Sequence, residues 1–171
     1  MKYKKILKQV AIVFGFIIII ASNVLSQELS NLDEIWVYNF GRCILEGLVP
    51  YRDFNIIITP LFSYICAVLL KIFGNEMIVL RFAEIVEISV ILMLIYKILI
   101  RLKINNTLAL LVTLGIYYMY HDIFCFDYNW AVLLIILLVL FIELKDTKER
   151  LDYNLKKDFF LGILVRNNDS F

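Results

Sequence analysis

Ile56-Ile57-Ile58-Thr59-Pro60-Leu61-Phe62-Ser63-Tyr64-Ile65-Cys66-Ala67-Val68-Leu69-Leu70-Lys71-Ile72-Phe73 is the stretch on which the fold turns. It is almost long enough to cross a bilayer, whose hydrocarbon core of about 30 Å needs about 20 apolar residues in a helix. Thr59-Pro60 interrupts it and Lys71 stands near its end. Whether it spans decides on which side every later loop lies. Four other apolar runs read as full spans, at about 9–26, 77–100, 107–120 and 130–142, and a fifth begins near Phe159 and runs to residue 171. Lys2, Lys4, Lys5 and Lys8 precede the first run, as in an uncleaved signal-anchor.

Charge parity decides the ambiguous segment, because cytoplasmic loops are enriched in Lys and Arg. If 56–73 does not span, three basic groups fall on one side. They are the N-terminus, the Lys97/Arg101/Lys103 turn and the Lys145/Lys148/Arg150/Lys156/Lys157 loop. The loop His121–Asn129, with Asp122 and Asp127 and no Lys or Arg, then lies outside. If 56–73 spans, both later basic clusters move outside, against the rule. The sequence therefore predicts an all-α, polytopic membrane helical bundle. Its N-terminus is cytoplasmic and its outer loop of about fifty residues, 27–76, carries interfacial helices at about 33–47 and 60–73. Within that loop Ile35, Tyr38 and Ile44-Leu45 recur at near-helical spacing, Asn31 and Asp33 are placed to cap a helix start, and Leu48-Val49-Pro50 breaks the helix.

Composition agrees. Hydrophobic residues make up 62% of the 171, charged residues 19%, and the mean hydropathy is +0.83. A soluble domain is about 45–50% apolar and about 25% charged. The net charge of +1 excludes the basic excess of a nucleic-acid binder. Cys43, Cys66 and Cys125 are widely spaced and form neither a CxxC pair nor a ligand cluster, so they read as small apolar residues in helices. No phosphate loop, HExxH or GxSxG motif is present, and no cofactor or metal site is read from the residues.

The polar residues worth attention lie on the outer side. Asp33-Glu34 stand soon after the first span, where they can cap a helix or act chemically. Asp122 and Asp127 lie between the third and fourth spans, and carboxylates from the two loops could converge above the bundle for general-base work. Arg81, Glu84 and Glu87 follow one another at helical spacing in the second span. There Arg81 and Glu84 can pair at i, i+3, and Arg81 can hold an anionic headgroup. Arg52 is the other outer cation. His121 reads as an interfacial polar residue.

These residues also carry a resemblance. Asp33-Glu34-Ile35-Trp36-Val37-Tyr38, then Arg42-Cys43-Ile44-Leu45-Glu46-Gly47-Leu48-Val49-Pro50-Tyr51-Arg52-Asp53-Phe54, resembles the first outer loop of C-type membrane glycosyltransferases. Those include the dolichyl-phosphate-mannose protein mannosyltransferases and the aminoarabinose-transferase-like enzymes of bacteria. Thr59-Pro60-Leu61-Phe62, Leu70-Lys71-Ile72-Phe73-Gly74, Leu80-Arg81 and Asp127-Tyr128-Asn129 are similar too. The resemblance implies transfer of a sugar from a polyprenyl-phosphate donor to an envelope acceptor at the outer face of a bacterial plasma membrane. By the same resemblance Asp33 acts as catalytic base or orients the acceptor nucleophile, with Glu34 as its acidic partner, and either Asp122 or Asp127 is the second acidic position. Arg52 and Arg81 are the cations available to the lipid phosphate. A divalent metal is left open. Some relatives carry Lys-Pro where this chain has Thr59-Pro60. The polar end Arg166-Asn167-Asn168-Asp169-Ser170-Phe171 reads as the close of an N-terminal part of such an enzyme, inactive alone. Two rival readings are a non-enzymatic assembly subunit or scaffold, and a transporter with Glu84 and Glu87 on an ion path.

Overall fold

In the computed structural model, residues 2–28 and 32–146 are described, and all regular structure among them is helical. Six helices follow in order: α1 (Lys2–Ser26), α2 (Leu32–Leu45), α3 (Leu61–Phe73), α4 (Met77–Arg101), α5 (Asn106–Tyr120) and α6 (Tyr128–Asp146). The fifth expected run, at 159–171, lies outside the described residues, as does the expected capping residue Asn31. Among the described residues no helix is long and apolar enough to cross a membrane.

The helix boundaries follow from local chemistry. Pro60 stands at the N-cap of α3, so the apolar run that begins at Ile56 becomes helical only from Leu61. The resulting 13 residues are about 20 Å long, too short for a hydrocarbon core. The expected pair of short helices at 33–47 and 60–73 thus appears as α2 and α3. α2 stops at a Schellman turn. The Gly47 amide donates to the Ile44 carbonyl at 3.0 Å and the Leu48 amide to Cys43 at 3.0 Å, with Gly47 at φ 90°. The same turn ends α4, where the Lys103 amide donates to Ile100 and the Ile104 amide to Leu99, each at 3.1 Å. Here the left-handed position falls on a lysine, at φ 66°. Asn105 caps α5 by accepting a 2.7 Å bond from the Leu108 amide.

The chain divides into two compact units. The first comprises the chain up to Ser89 together with Ile123–Trp130, and the second holds Val90–Asp122 and the segment from Ala131 onward. In the first unit α2 packs on α3 through small residues. A Cβ built on Gly41 would lie 3.0 Å from the Cys66 Cβ and 3.4 Å from the Ala67 backbone nitrogen. Only a residue without a side chain admits that approach. Leu70, Cys66 and Ala67 form the buried face of α3, and Phe62 meets Phe126 with ring centroids 4.9 Å apart. In the second unit α5 buries Ala109, Thr113 and Tyr117, one per turn. The Arg101 guanidinium lies over the Phe141 ring and donates to its carbonyl oxygen.

The core is apolar, but several charged and polar side chains lie inside it while large apolar ones lie outside. Ile78, Phe82, Val86 and Val90 of α4 are exposed, while Arg81, Glu84 and Glu87 of the same helix are buried. Glu34, Ser63, Thr113 and Asp127 are buried as well.

Gly41→Val forces a branched side chain into the α2–α3 contact. Unit one should lose about 1–3 kcal/mol of stability by overpacking, read as a lowered unfolding midpoint, whereas Gly115→Ala, whose Cβ meets nothing within 4 Å, should leave the midpoint unchanged or raised.

Candidate functional site

The first turn of α2 sets the geometry. Successive helical residues point about 100° apart, so the adjacent carboxylates Asp33 and Glu34 diverge. Glu34 turns inward and is buried. The Arg81 guanidinium donates to it twice, from Nε to Oε1 at 2.7 Å and from Nη2 to Oε2 at 3.3 Å. Its Nη1 also donates to the Gln27 carbonyl at 2.7 Å, and Nη2 reaches the Glu28 carbonyl at 3.4 Å. One side chain therefore joins the end of α1, the start of α2 and the first turns of α4. The expected i, i+3 pair of Arg81 with Glu84 gives way to this bidentate bond, because Glu34 offers both oxygens to the planar fork.

Asp33 takes the other direction. It lines a cavity of about 480 Å³ together with Trp36, Val37, Asn39 and Phe40 of α2. Asn55, Ile57 and Ile58 of the following loop and Asp127 and Tyr128 at the start of α6 complete the wall. The structure thus brings Asp33 and Asp127 to one cavity. Asp122 is exposed, 3.1 Å from the Nε2 of His121, and is not among the lining residues. His121 stacks on Tyr118 at 5.5 Å and its Nδ1 meets the Tyr118 carbonyl at 2.8 Å.

Asp127 has a structural task in addition. Its Oδ1 accepts from the amides of Asn129 (2.7 Å) and Trp130 (3.1 Å), the second and third residues of α6. Its Oδ2 accepts from the Asn129 amide group at 3.2 Å and from Cys125 at 3.5 Å. It is the N-cap of α6, and the positive end of that helix stabilises its charge. The carboxylate is 3% exposed, so its direction is fixed.

The loop that closes the cavity is tied by a second carboxylate. Asp53 Oδ2 accepts from the Val49 amide at 2.8 Å. Arg52 grips Asp53 through Nε–Oδ1 (3.0 Å) and Nη2–Oδ2 (2.8 Å). That guanidinium, with the Val49 amide, holds the Asp53 carboxyl down at about 2. Tyr51 adopts φ 64° there, and its hydroxyl donates to the Ile58 carbonyl at 2.9 Å. Phe54 stacks on Phe40, centroids 5.9 Å apart, which seats the loop on α2. The two cations expected at the site thus have other partners. Arg52 is on the surface with Asp53 and Arg81 is inside with Glu34, and no Lys, Arg or His lines the cavity among the described residues.

Sequence reasoning missed the aromatic wall. Trp36 and Phe40 follow Asp33 at i+3 and i+7, a helical spacing that marks one face, and Tyr128 adjoins Asp127. Cys125 lies in the connection before α6, not in a helix as expected. Burial pushes the Cys66 thiol up to about 12, and burial with the neighbouring Asp127 carboxylate raises Cys125 as well. Cys43 is half-buried. Among the described residues no group of three or more His, Cys, Asp and Glu side chains is placed to hold a metal ion. No family model, curated protein or solved structure matches the chain.

Removing one partner of the buried pair leaves the other charge uncompensated. Arg81→Ala should cost about 3–5 kcal/mol, and the double variant Glu34→Leu/Arg81→Met should recover part of that loss in thermal unfolding. Thiol chemistry gives an independent check. At mildly alkaline pH a maleimide should modify Cys43 alone in the folded chain, and Cys66 and Cys125 only after denaturation.

Proposed function

We propose that the chain is part of an integral-membrane glycosyltransferase that moves a sugar from a polyprenyl-phosphate donor to an envelope acceptor. The observation that carries the reading is the cavity lined by both Asp33, from the first turn of α2, and Asp127, from the turn before α6, beside Trp36, Phe40 and Tyr128. Aromatic faces suit the C–H face of a sugar ring, and carboxylates suit its hydroxyls. Asp33, the exposed carboxylate of the two, is the base. It takes the proton of the acceptor hydroxyl as that oxygen attacks the anomeric carbon and the bond to the lipid phosphate breaks. Asp127, held by four donors, contributes a fixed negative charge and orientation. Among the described residues the lining holds no cation, so the leaving phosphate belongs outside this cavity, at headgroup level, where Arg52 stands exposed three residues before Asn55.

The membrane reading is supported by the distribution of charge over faces. α4 carries Arg81, Glu84 and Glu87 in its first half and Lys97 and Arg101 near its end, more charge than a lone apolar span, yet the first three are buried and the exposed residues beside them are Ile78, Phe82, Val86 and Val90. Water would favour the reverse arrangement, whereas lipid favours this one. At 25 residues α4 is about 37 Å long, enough for the core. α3, at about 20 Å, lies in the outer interface with Leu61, Val68 and Ile72 toward lipid. A scaffold is the second reading, favoured by the structural bonds that occupy Glu34 and Asp127. Asp33 separates the two, since a scaffold does not need its carboxylate.

In proteoliposomes given a labelled polyprenyl-phosphate sugar and an envelope extract, the full-length product of the reading frame to which this chain belongs should transfer label. Asp33→Asn should lower the rate by about 10²–10⁴-fold, and Asp122→Asn should leave it near wild type. Equal rates for wild type and Asp33→Asn would remove Asp33 from the chemistry. For topology, alkaline phosphatase fused after Gly74 should be active and fused after Lys103 inactive. The opposite pattern would overturn the assigned orientation.

A further inference from the structure

The buried face of α4 carries a group of carboxyls that the proposed chemistry does not use. Glu84 is 2% exposed and Glu87 8%. Oε1 of Glu84 and Oε2 of Glu87 are buried with no hydrogen-bond partner. The groups that act on them come from every side of the first unit. Glu34 of α2, Arg81 of α4 and Asp127 at the start of α6 face Glu84. Asp127 and Glu84 face Glu87, and Cys66 of α3 lies within reach of it. Glu84 also acts on Cys125.

The charges do not balance if every carboxyl is ionised. Arg81 is the cation of this group, and both edges of its fork go to Glu34 and to the Gln27 and Glu28 carbonyls. Asp127 has four donors and the N-terminus of α6. Glu84 and Glu87 then remain as two buried negative charges with orphaned oxygens next to a third. A buried charge with no partner neutralises rather than persists. Ser63, whose buried hydroxyl oxygen is likewise unpartnered on α3, adds no positive charge. A divalent cation finds no three-ligand cage among the described residues.

We propose that Glu84 and Glu87, one turn apart on the buried face of α4, form a proton-binding pair, each a neutral carboxylic acid at neutral pH, within electrostatic reach of the Asp127 that lines the cavity. The ligand is the proton itself. Protonation removes a charge that would otherwise be buried without a donor to compensate it. This inference stands on burial and charge balance, so it holds or fails independently of sugar transfer.

Infrared spectroscopy of the full chain in phosphatidylglycerol and phosphatidylethanolamine vesicles tests it. At neutral pH the spectrum should contain the carbonyl stretch of a protonated carboxyl. The band should move to lower frequency when the chain is grown with carbon-13 carboxyl-labelled glutamate. Glu84→Gln and Glu87→Gln, which mimic the neutral acid, should each lose a component of the band and keep the helical amide signal. If a variant fails to fold, the labelled wild type decides alone. Absence of the band at neutral pH, a band that labelled glutamate does not move, or a carboxylate band that responds to sodium or potassium would each overturn the proposal. Sugar transfer with no such band would leave the enzyme reading intact and remove only the proton pair.

Discussion

The bidentate bond between Arg81 and Glu34 is the constraint on which the first unit depends. It spans 47 residues of sequence and is 2.7 Å at its short arm. Taking both charges out of water is costly, and the geometry offsets the cost only because every guanidinium nitrogen has an acceptor. The same side chain also donates to the Gln27 and Glu28 carbonyls that follow α1. With its first turn clamped, α2 has one azimuth. That azimuth sends Asp33, Trp36 and Phe40 to the cavity and Gly41 to α3. A rotation of α2 by one residue would exchange Asp33 for Glu34 and drive a side chain into Cys66.

Division of labour among the carboxylates follows from what each can accept. Asp127 accepts from four donors across its two oxygens, which fixes its position at the start of α6. Asp33 faces the cavity. Asp53 is far too acidic, held beside Arg52, to act as a base near neutrality, and its work is to tie Val49 into the loop. Glu34 is spent on Arg81. Of the four, Asp33 alone combines exposure with a place in the cavity, which is why the chemistry of the proposed reaction narrows to it.

Much of this arrangement was legible in the sequence because it is local. Pro60 announces where α3 begins, Gly47 where α2 ends, and the apolar runs give the limits of α4, α5 and α6 within a few residues, whereas α1 starts seven residues before its run. The pair Asp33-Glu34 was visible as chemistry. What periodicity could not supply was partnership at long range. A period of 3.6 says that Arg81 and Glu84 share a face, and so suggests that they pair, but it carries no information about a carboxylate 47 residues earlier that offers a better fork. The choice between Asp122 and Asp127 had the same character. The sequence signal was present, an Asp three residues before Trp130 at the head of an apolar run, and it is the signal of an N-cap. Read as a cap, it would have placed Asp127 at a buried helix start and left Asp122 beside His121.

That Glu84 and Glu87 face inward follows from reading 77–100 as a span, since ionisable residues at membrane depth face protein or water, but nothing in the sequence shows that an oxygen of each lacks a partner. Charged residues in a helix at this spacing mark the wet face when the surroundings are water. In this chain they mark the inner face, and Phe82 and Val86 take the outer one. A helix with that polarity has no stable position alone in either medium. In water it exposes its apolar face, and in lipid it exposes three charges. It needs α2 for Arg81 and neutral acids for the remaining two, so the fold of α4 and the protonation of its carboxyls are a single requirement.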